Sequence, residues 1–301
     1  MSRNVFRLAA VALLLIPALA QAHRSCPHER AHSLALDLDG VETLSIELGR
    51  HTLRLDGAAD ADGIVRGRAC ATSEGRLAEL TLVQRREGAK LILRAEDGGS
   101  SNVFRLFGKS DYAVHELNLR IPERISVELN VGSGDAWVGS VAALDVGLGS
   151  GDLHASRVAG AVTLSVGSGD AEVESVGRLA VPSLGSGDVT ASAVGGELEI
   201  GSVGSGDISV KGIAGSVRIG SIGSGDVELF SVAGDVAAGS VGSGDLLIDG
   251  VEGSVTLDSL GSGDLRVNDI QGDVRLRRKG SGDVRPSNVR GEVSIVIQPR
   301  S

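Results

Sequence analysis

The tetrapeptide Gly-Ser-Gly-Asp occurs nine times in this 301-residue chain, first at 132–135 and last at 280–283. Its aspartates are Asp135, Asp152, Asp170, Asp188, Asp207, Asp226, Asp245, Asp264 and Asp283, spaced by 17, 18 and 18 residues and then five times by 19. A near-constant period of that length marks one supersecondary unit stacked on copies of itself. Whatever the chain does, it does from a repeat architecture.

The unit that starts at Gly204 places its apolar residues at Ile208, Val210, Ile213, Val217, Ile219 and Ile222. The next lap puts Val227, Leu229, Val232, Val236, Ala238 and Val241 at the same offsets, and the following one Leu246, Ile248, Val251, Val255, Leu257 and Leu260. Within each set, the first two and the fourth and fifth are two residues apart, the spacing of side chains on one face of a strand. A second glycine column, Gly196, Gly215, Gly234, Gly253, Gly272 and Gly291, marks the other turn. Helix is a poor competitor, because glycine is frequent and β-branched residues fill the runs. The expected fold is all-β: a single-stranded parallel β-solenoid of about 19 residues per coil, right-handed by the general preference of parallel crossovers. Coils about 4.8 Å apart would merge their inward columns into one core.

Three segments follow. Residues 1–22 read as a secretory signal peptide: Arg3 and Arg7 give a positive start, Leu8 to Leu19 is an apolar run, and Ala20-Gln21-Ala22 fits a small-x-small cleavage site. The run is short for a membrane span, and no later apolar stretch reaches that length. Residues 23–130 read as a β-rich, irregular N-terminal cap, with strands expected at 34–38, 44–48, 77–83, 91–93, 114–121 and 125–129 and a loop at 97–101. Residues 131–301 read as the regular solenoid, whose last laps turn basic (Arg275, Arg277, Arg278, Lys279, Arg285, Arg290) and carry Pro286 in a strand position. Proline and cations in a terminal coil block edge-to-edge stacking.

The formal charge is −10, and −12 once Arg3 and Arg7 are removed with the leader. That balance excludes nucleic acid and anionic membrane surfaces as natural partners. The two cysteines, Cys26 and Cys70, are expected to form one disulfide in an oxidising compartment.

The stretch 114–122 (Val-His-Glu-Leu-Asn-Leu-Arg-Ile-Pro), the stretch 125–131 (Ile-Ser-Val-Glu-Leu-Asn-Val) and the Gly-Ser-Gly-Asp laps that follow are similar to the bacterial β-strand-repeat family labelled "putative adhesin", a domain of unknown function related to autotransporter-adhesin head domains. The resemblance spans most of residues 33–301. It implies a single-stranded β-helix with a non-enzymatic envelope role, and it carries no catalytic residues across.

Chemistry is sparse in the residues themselves. Polysaccharide-cleaving β-helices need long loops and aromatic platforms; here the laps are near minimal, and after Trp137 the repeats hold one further aromatic residue, Phe230. His154 is the only histidine beyond residue 115, so no Ser–His–Asp constellation is available. His23, His28 and His32 form an alternative metal-binding cluster, with a free α-amine on His23 after cleavage, against the simpler reading of a solvated tail. The aspartate column is expected to hold backbone N–H groups of its own turns; the alternative is a line of calcium ions. The outward column Trp137, His154, Glu172, Thr190, Ser209, Glu228, Leu247, Arg266, Arg285 is too mixed to match an ice lattice. The expected function is that of an exported, non-catalytic, adhesin-like binding or structural module of the bacterial envelope, without a cofactor, whose partner is an unidentified protein or polysaccharide. A calcium-binding repeat and a polysaccharide-active enzyme are the alternatives.

Overall fold

The structure, a computed structural model, describes residues 26–98 and 112–297. The expected leader and His23 lie outside the described residues, as does the greater part of the loop expected at 97–101. The first half of the fold comprises β1 (His28–Ala35), β2 (Thr43–Gly49), β3 (Thr52–Gly57), β4 (Ile64–Ala71), the short helix α1 (Glu74–Glu79), β5 (Thr81–Glu87), β6 (Lys90–Glu96), β7 (Ala113–Ile121) and β8 (Ser126–Val131). Then come β9 (Ala136–Gly139), β10 (Leu144–Leu148), β11 (Leu153–Val166) and β12 (Ala171–Leu184). The regular laps follow as pairs: β13 (Val189–Val194) and β14 (Leu198–Val203), β15 (Ile208–Ile213) and β16 (Val217–Ile222), β17 (Val227–Val232) and β18 (Val236–Val241). The last pairs are β19 (Leu246–Val251) and β20 (Val255–Leu260), β21 (Leu265–Ile270) and β22 (Val274–Lys279), β23 (Val284–Val289) and β24 (Val293–Ile297).

Two parallel ladders run the length of the molecule. One passes β7–β3–β9–β11–β12–β13–β15 and on through alternate strands to β23. The other passes β6–β2–β8–β10–β11–β12–β14–β16 and on to β24. This is the parallel β-solenoid expected from the period. At the N-terminal end both ladders switch hand of pairing: β7 joins β4 and then β1 antiparallel, and β6 joins β5 antiparallel. At the other end, among the described residues β23 and β24 each pair on one side only, and Pro286 sits on β23, where no described strand asks for its missing N–H.

The laps from Ala136 to Leu260 bury the six residues that the repeat suggested; the next buries five, with Lys279 in the sixth place, and the terminal lap leaves Val284, Val289 and Ile295 only partly buried. Ile208, Val210, Ile213, Val217, Ile219 and Ile222 are all at most 4% exposed, and their equivalents form one continuous core with the inward residues of β2, β3 and β6 to β8. The three-residue step from Val210 to Ile213 has a backbone cause. Lys211 and Gly212 both point outward, and the second of them takes a left-handed conformation. The same corner recurs at Ser140, Arg157, Ser175, Ala193, Ser231, Gly250, Asp269 and Asn288, with φ between +50° and +77°. The corner thus tolerates side chains. The third residue of Gly-Ser-Gly-Asp does not: a Cβ on Gly225 would lie 1.9 Å from the Gly206 carbonyl oxygen of the preceding lap. It is close approach between laps, not positive φ, that requires glycine there.

The cap differs from its sequence reading. Strands β3 and β4 were not among those expected, β1 begins at His28 and ends at Ala35 where a strand over 34–38 was expected, and the run over 77–83 splits into the end of α1 and the start of β5. Ser73 explains the split: its hydroxyl accepts the Arg76 N–H and starts a helical turn. The Cys26–Cys70 disulfide is present and ties the segment before β1 to β4.

Candidate binding face

Sequence-adjacent laps bring the outward column together as expected. Trp137 stands in register with His154, His154 with Glu172, Glu172 with Thr190, and the line continues through Ser209, Glu228, Leu247 and Arg266 to Arg285. The column also extends into the cap, because Arg54 pairs in register with Trp137 and with Asn118. The Arg54 guanidinium carbon lies 4.2 Å from the Trp137 ring centroid. On the other side the indole stacks with His154, with centroids 5.5 Å apart and planes 7° from parallel. His154 Nδ1 is 2.9 Å from Glu172 Oε2. Four residues of one column are therefore held in a cation–aromatic–aromatic–carboxylate stack. Beside it runs an open groove of about 430 Å³ lined by Arg54, Asp56, Arg120, Trp137, His154 and Arg157 among others.

The aspartate column is organised differently from the reading of its sequence. Its carboxylates do not cap their own turns; seven of the nine accept a hydrogen bond from the next lap. The N–H of Asp188 donates to Asp170 Oδ1 at 3.0 Å, that of Asp207 to Asp188 at 3.0 Å, that of Asp226 to Asp207 at 2.8 Å and that of Asp245 to Asp226 at 2.7 Å. Asp264, Asp283 and Asp152 continue the pattern onto Asp245, Asp264 and Asp135 at 2.8, 3.1 and 3.4 Å. Toward the C-terminus, Arg266 reaches Oδ2 of both Asp245 and Asp264, and Arg285 reaches Asp283. A second ladder, unforeseen from the sequence, occupies the opposite turn. There Asp235 N–H donates to Ser216 Oγ, Ser254 N–H to Asp235, Asp273 N–H to Ser254 and Glu292 N–H to Asp273. Its signal was present, since a hydroxyl or carboxylate follows the second glycine column at a 19-residue period.

The histidines regroup as well. His28 and His32 sit four residues apart on β1, about 13 Å along a strand. His32 instead meets His115, with ring centroids 4.9 Å apart, and His115 meets His51 at 4.7 Å, both edge-on. His51 and His115 are at most 1% exposed. His51 Nδ1 accepts the backbone N–H of His115 at 3.1 Å, whereas both ring nitrogens of His115 and Nε2 of His32 are buried without a hydrogen-bond partner. Burial is the main cause that pushes His51 down to about 4, with Asp97 opposing it, and pushes His115 down to about 4, reinforced by His51 and His32. His32 is lowered by burial and by Arg30. Among the described residues no three His, Cys, Asp or Glu side chains converge in a way that could hold a metal ion.

No protein-family model matches the chain, and no curated protein matches it. Among solved structures, it is similar to a "putative adhesin" from Parabacteroides merdae at 14% identity, covering 90% of this chain and 97% of that one with a TM-score of 0.34. It is also similar to a "putative cell adhesion protein" from Clostridium sporogenes at 12% identity, covering 89% and 100% with a TM-score of 0.31. A "putative lipid binding protein" from Parabacteroides distasonis stands at 16% identity, with 90% and 97% covered and a TM-score of 0.32.

Proposed function

We propose that the chain is an exported, non-catalytic β-solenoid that serves as a binding or structural module of the bacterial envelope, contacting its partner along the column from Arg54 to Arg285. The observation that carries this reading is the column itself: a line of outward side chains in register, on laps that carry no insertions after Trp137, fixed at its cap end by the Arg54–Trp137–His154–Glu172 stack. At about 4.8 Å per lap, nine laps present a side of about 40 Å. A rigid side of that length favours many shallow contacts over one enclosed reaction centre. Export is supported by the leader-like residues 1–22 and by the Cys26–Cys70 disulfide, which belongs to an oxidising compartment. No helix among the described residues is long and apolar enough to cross a membrane.

The test is a binding isotherm of the purified, disulfide-bonded protein on isolated bacterial envelopes, with the bound material then recovered by pull-down. Saturable binding that weakens for Trp137→Ala supports the reading. Binding that fails to saturate, or that Trp137→Ala leaves unchanged, overturns it.

A further inference from the structure

The groove beside the stack has the opposite electrostatic sign from the chain that carries it. Three guanidinium groups, Arg54, Arg120 and Arg157, line it against the single carboxylate of Asp56, on a chain of formal charge −10. Two of the three are engaged: Arg120 pairs with Asp60 at 2.7 Å, and Arg157 bonds the Ser140 hydroxyl at 3.1 Å and Asp56 at 3.4 Å. Arg54 is not. Its guanidinium lies over the face of Trp137 and makes no hydrogen bond or ion pair among the described residues. A guanidinium held by its face keeps its in-plane N–H donors available at its edge. The platform beneath it is fixed in turn, since Trp137 is backed by His154 and His154 by Glu172. Such a donor is oriented before a ligand arrives, so little rotamer freedom is lost on binding.

The groove also shows what kind of anion it suits. The strands that line it are interior to the ladder: β3 pairs with β7 and β9, and β9 with β3 and β11. Their backbone groups are used, so an extended peptide has no open edge on which to add as a strand. What faces the ligand is a set of polar side chains, Asn118, Ser156 and His154, around a floor at Gly139. A Cβ on Gly139 would come within 2.9 Å of Asp56 Oδ1 and 3.0 Å of Arg157 Nη2, both movable side-chain ends. Polar side chains without backbone donors, around one poised guanidinium, complement a hydroxyl-rich chain that bears carboxylates. We propose that this groove recognises a uronate-type acidic polysaccharide, with Arg54 taking the carboxylate of one sugar and Arg120 and Arg157 supplying the surrounding positive field. The proposal rests on the reading of the lateral column as a binding face and names its ligand.

The experiment measures binding of the full disulfide-bonded protein to polygalacturonate, to neutral dextran and to poly-glutamate, for the natural chain, Arg54→Gln and Gly139→Leu. Polygalacturonate should bind saturably and the other two weakly or not at all. Arg54→Gln should weaken binding roughly ten- to a hundredfold, the range of a charge-assisted bidentate contact, with a melting temperature within about two degrees of the natural chain; Gly139→Leu, which forces Asp56 and Arg157 aside, should weaken binding as well and lower the melting temperature. Equal binding of poly-glutamate overturns the assignment of a sugar ligand, and unaltered binding by Arg54→Gln overturns the groove. If the protein binds envelopes saturably but ignores polygalacturonate, the inference falls and the lateral-face reading stands. If it binds no envelope material, both fall.

Discussion

Replacing Gly225 by alanine should damage the solenoid far more than replacing Gly212, although both are turn glycines of neighbouring laps. At Gly225 the new Cβ would lie 1.9 Å from the Gly206 carbonyl oxygen, and a close carbon–oxygen contact is about 3.3 Å, so two laps must separate locally by more than about 1 Å. That movement strains the Ser224 and Gly225 N–H bonds to Gly204 O, at 2.8 and 3.1 Å, and the Asp226 N–H bond to Asp207 Oδ1 at 2.8 Å. Overpacking costs about 1–3 kcal/mol and each lost hydrogen bond about 1 kcal/mol, so the loss of all three gives roughly 4–6 kcal/mol. At Gly212 the backbone is left-handed, with φ +75°, but the nearest atoms are 3.8 Å away, and Ala193 and Ser231 hold the same conformation in neighbouring laps. The expected cost there is about 1 kcal/mol. Urea unfolding followed by circular dichroism measures the difference. Amide exchange over residues 204–226 checks that the damage is local, as nearest-neighbour stacking requires. Equal losses for the two variants, or a Gly225→Ala protein as stable as the natural one, would refute the register of the laps.

Three further outcomes are expected. His51 and His115 titrate near 4 in the folded chain against 6.5 ordinarily, so below pH 6.5 the unfolded chain binds more protons. Stability should therefore fall as the pH drops from 6.5 toward 4 and level off below, by up to about 3 kcal/mol for one such histidine, and His115→Leu should flatten the slope in denaturant titrations across that range. Reducing the Cys26–Cys70 bond, which spans 44 residues, should remove about 4 kcal/mol from the cap on the chain-entropy model; exchange should quicken in β1 and β4 while the laps after Gly204 stay protected. Since Oδ1 of most column aspartates already accepts an N–H, chelator should leave the melting temperature unchanged and millimolar calcium should raise it little. A calcium-dependent rise of about ten degrees would contradict this.

The solenoid was readable because every lap repeats one solution: the spacing of Ile208, Val210 and Ile213 encodes a strand, a corner and a return to the core. The cap repeats nothing, and its antiparallel partners come from distant segments, as in the pairing of His32 with Gly67 or Arg68 with Glu116. Local cues misled there too, since Leu77 and Leu80 look strand-like until Ser73 starts a helical turn. The candidate site was half legible. Trp137 and His154 fall one lap apart in the sequence, but Arg54 joins them only because β3 enters the ladder as a preceding lap. The histidine cluster was illegible for the same reason, its contacting pairs being separated by 83 and 64 residues before folding brings them together. The partners of the aspartate column were not legible, because a period shows that residues stack without showing which lap supplies the donor.

Covalent side-chain footprinting of the protein bound to envelope material tests the proposed binding face most directly. The account predicts protection at Trp137 and His154, and at Arg54 in an arginine-directed experiment, with no change along the column of the other ladder that includes Glu199 and Arg218. Protection of that second column, or equal labelling of both in the presence and absence of bound material, would contradict it.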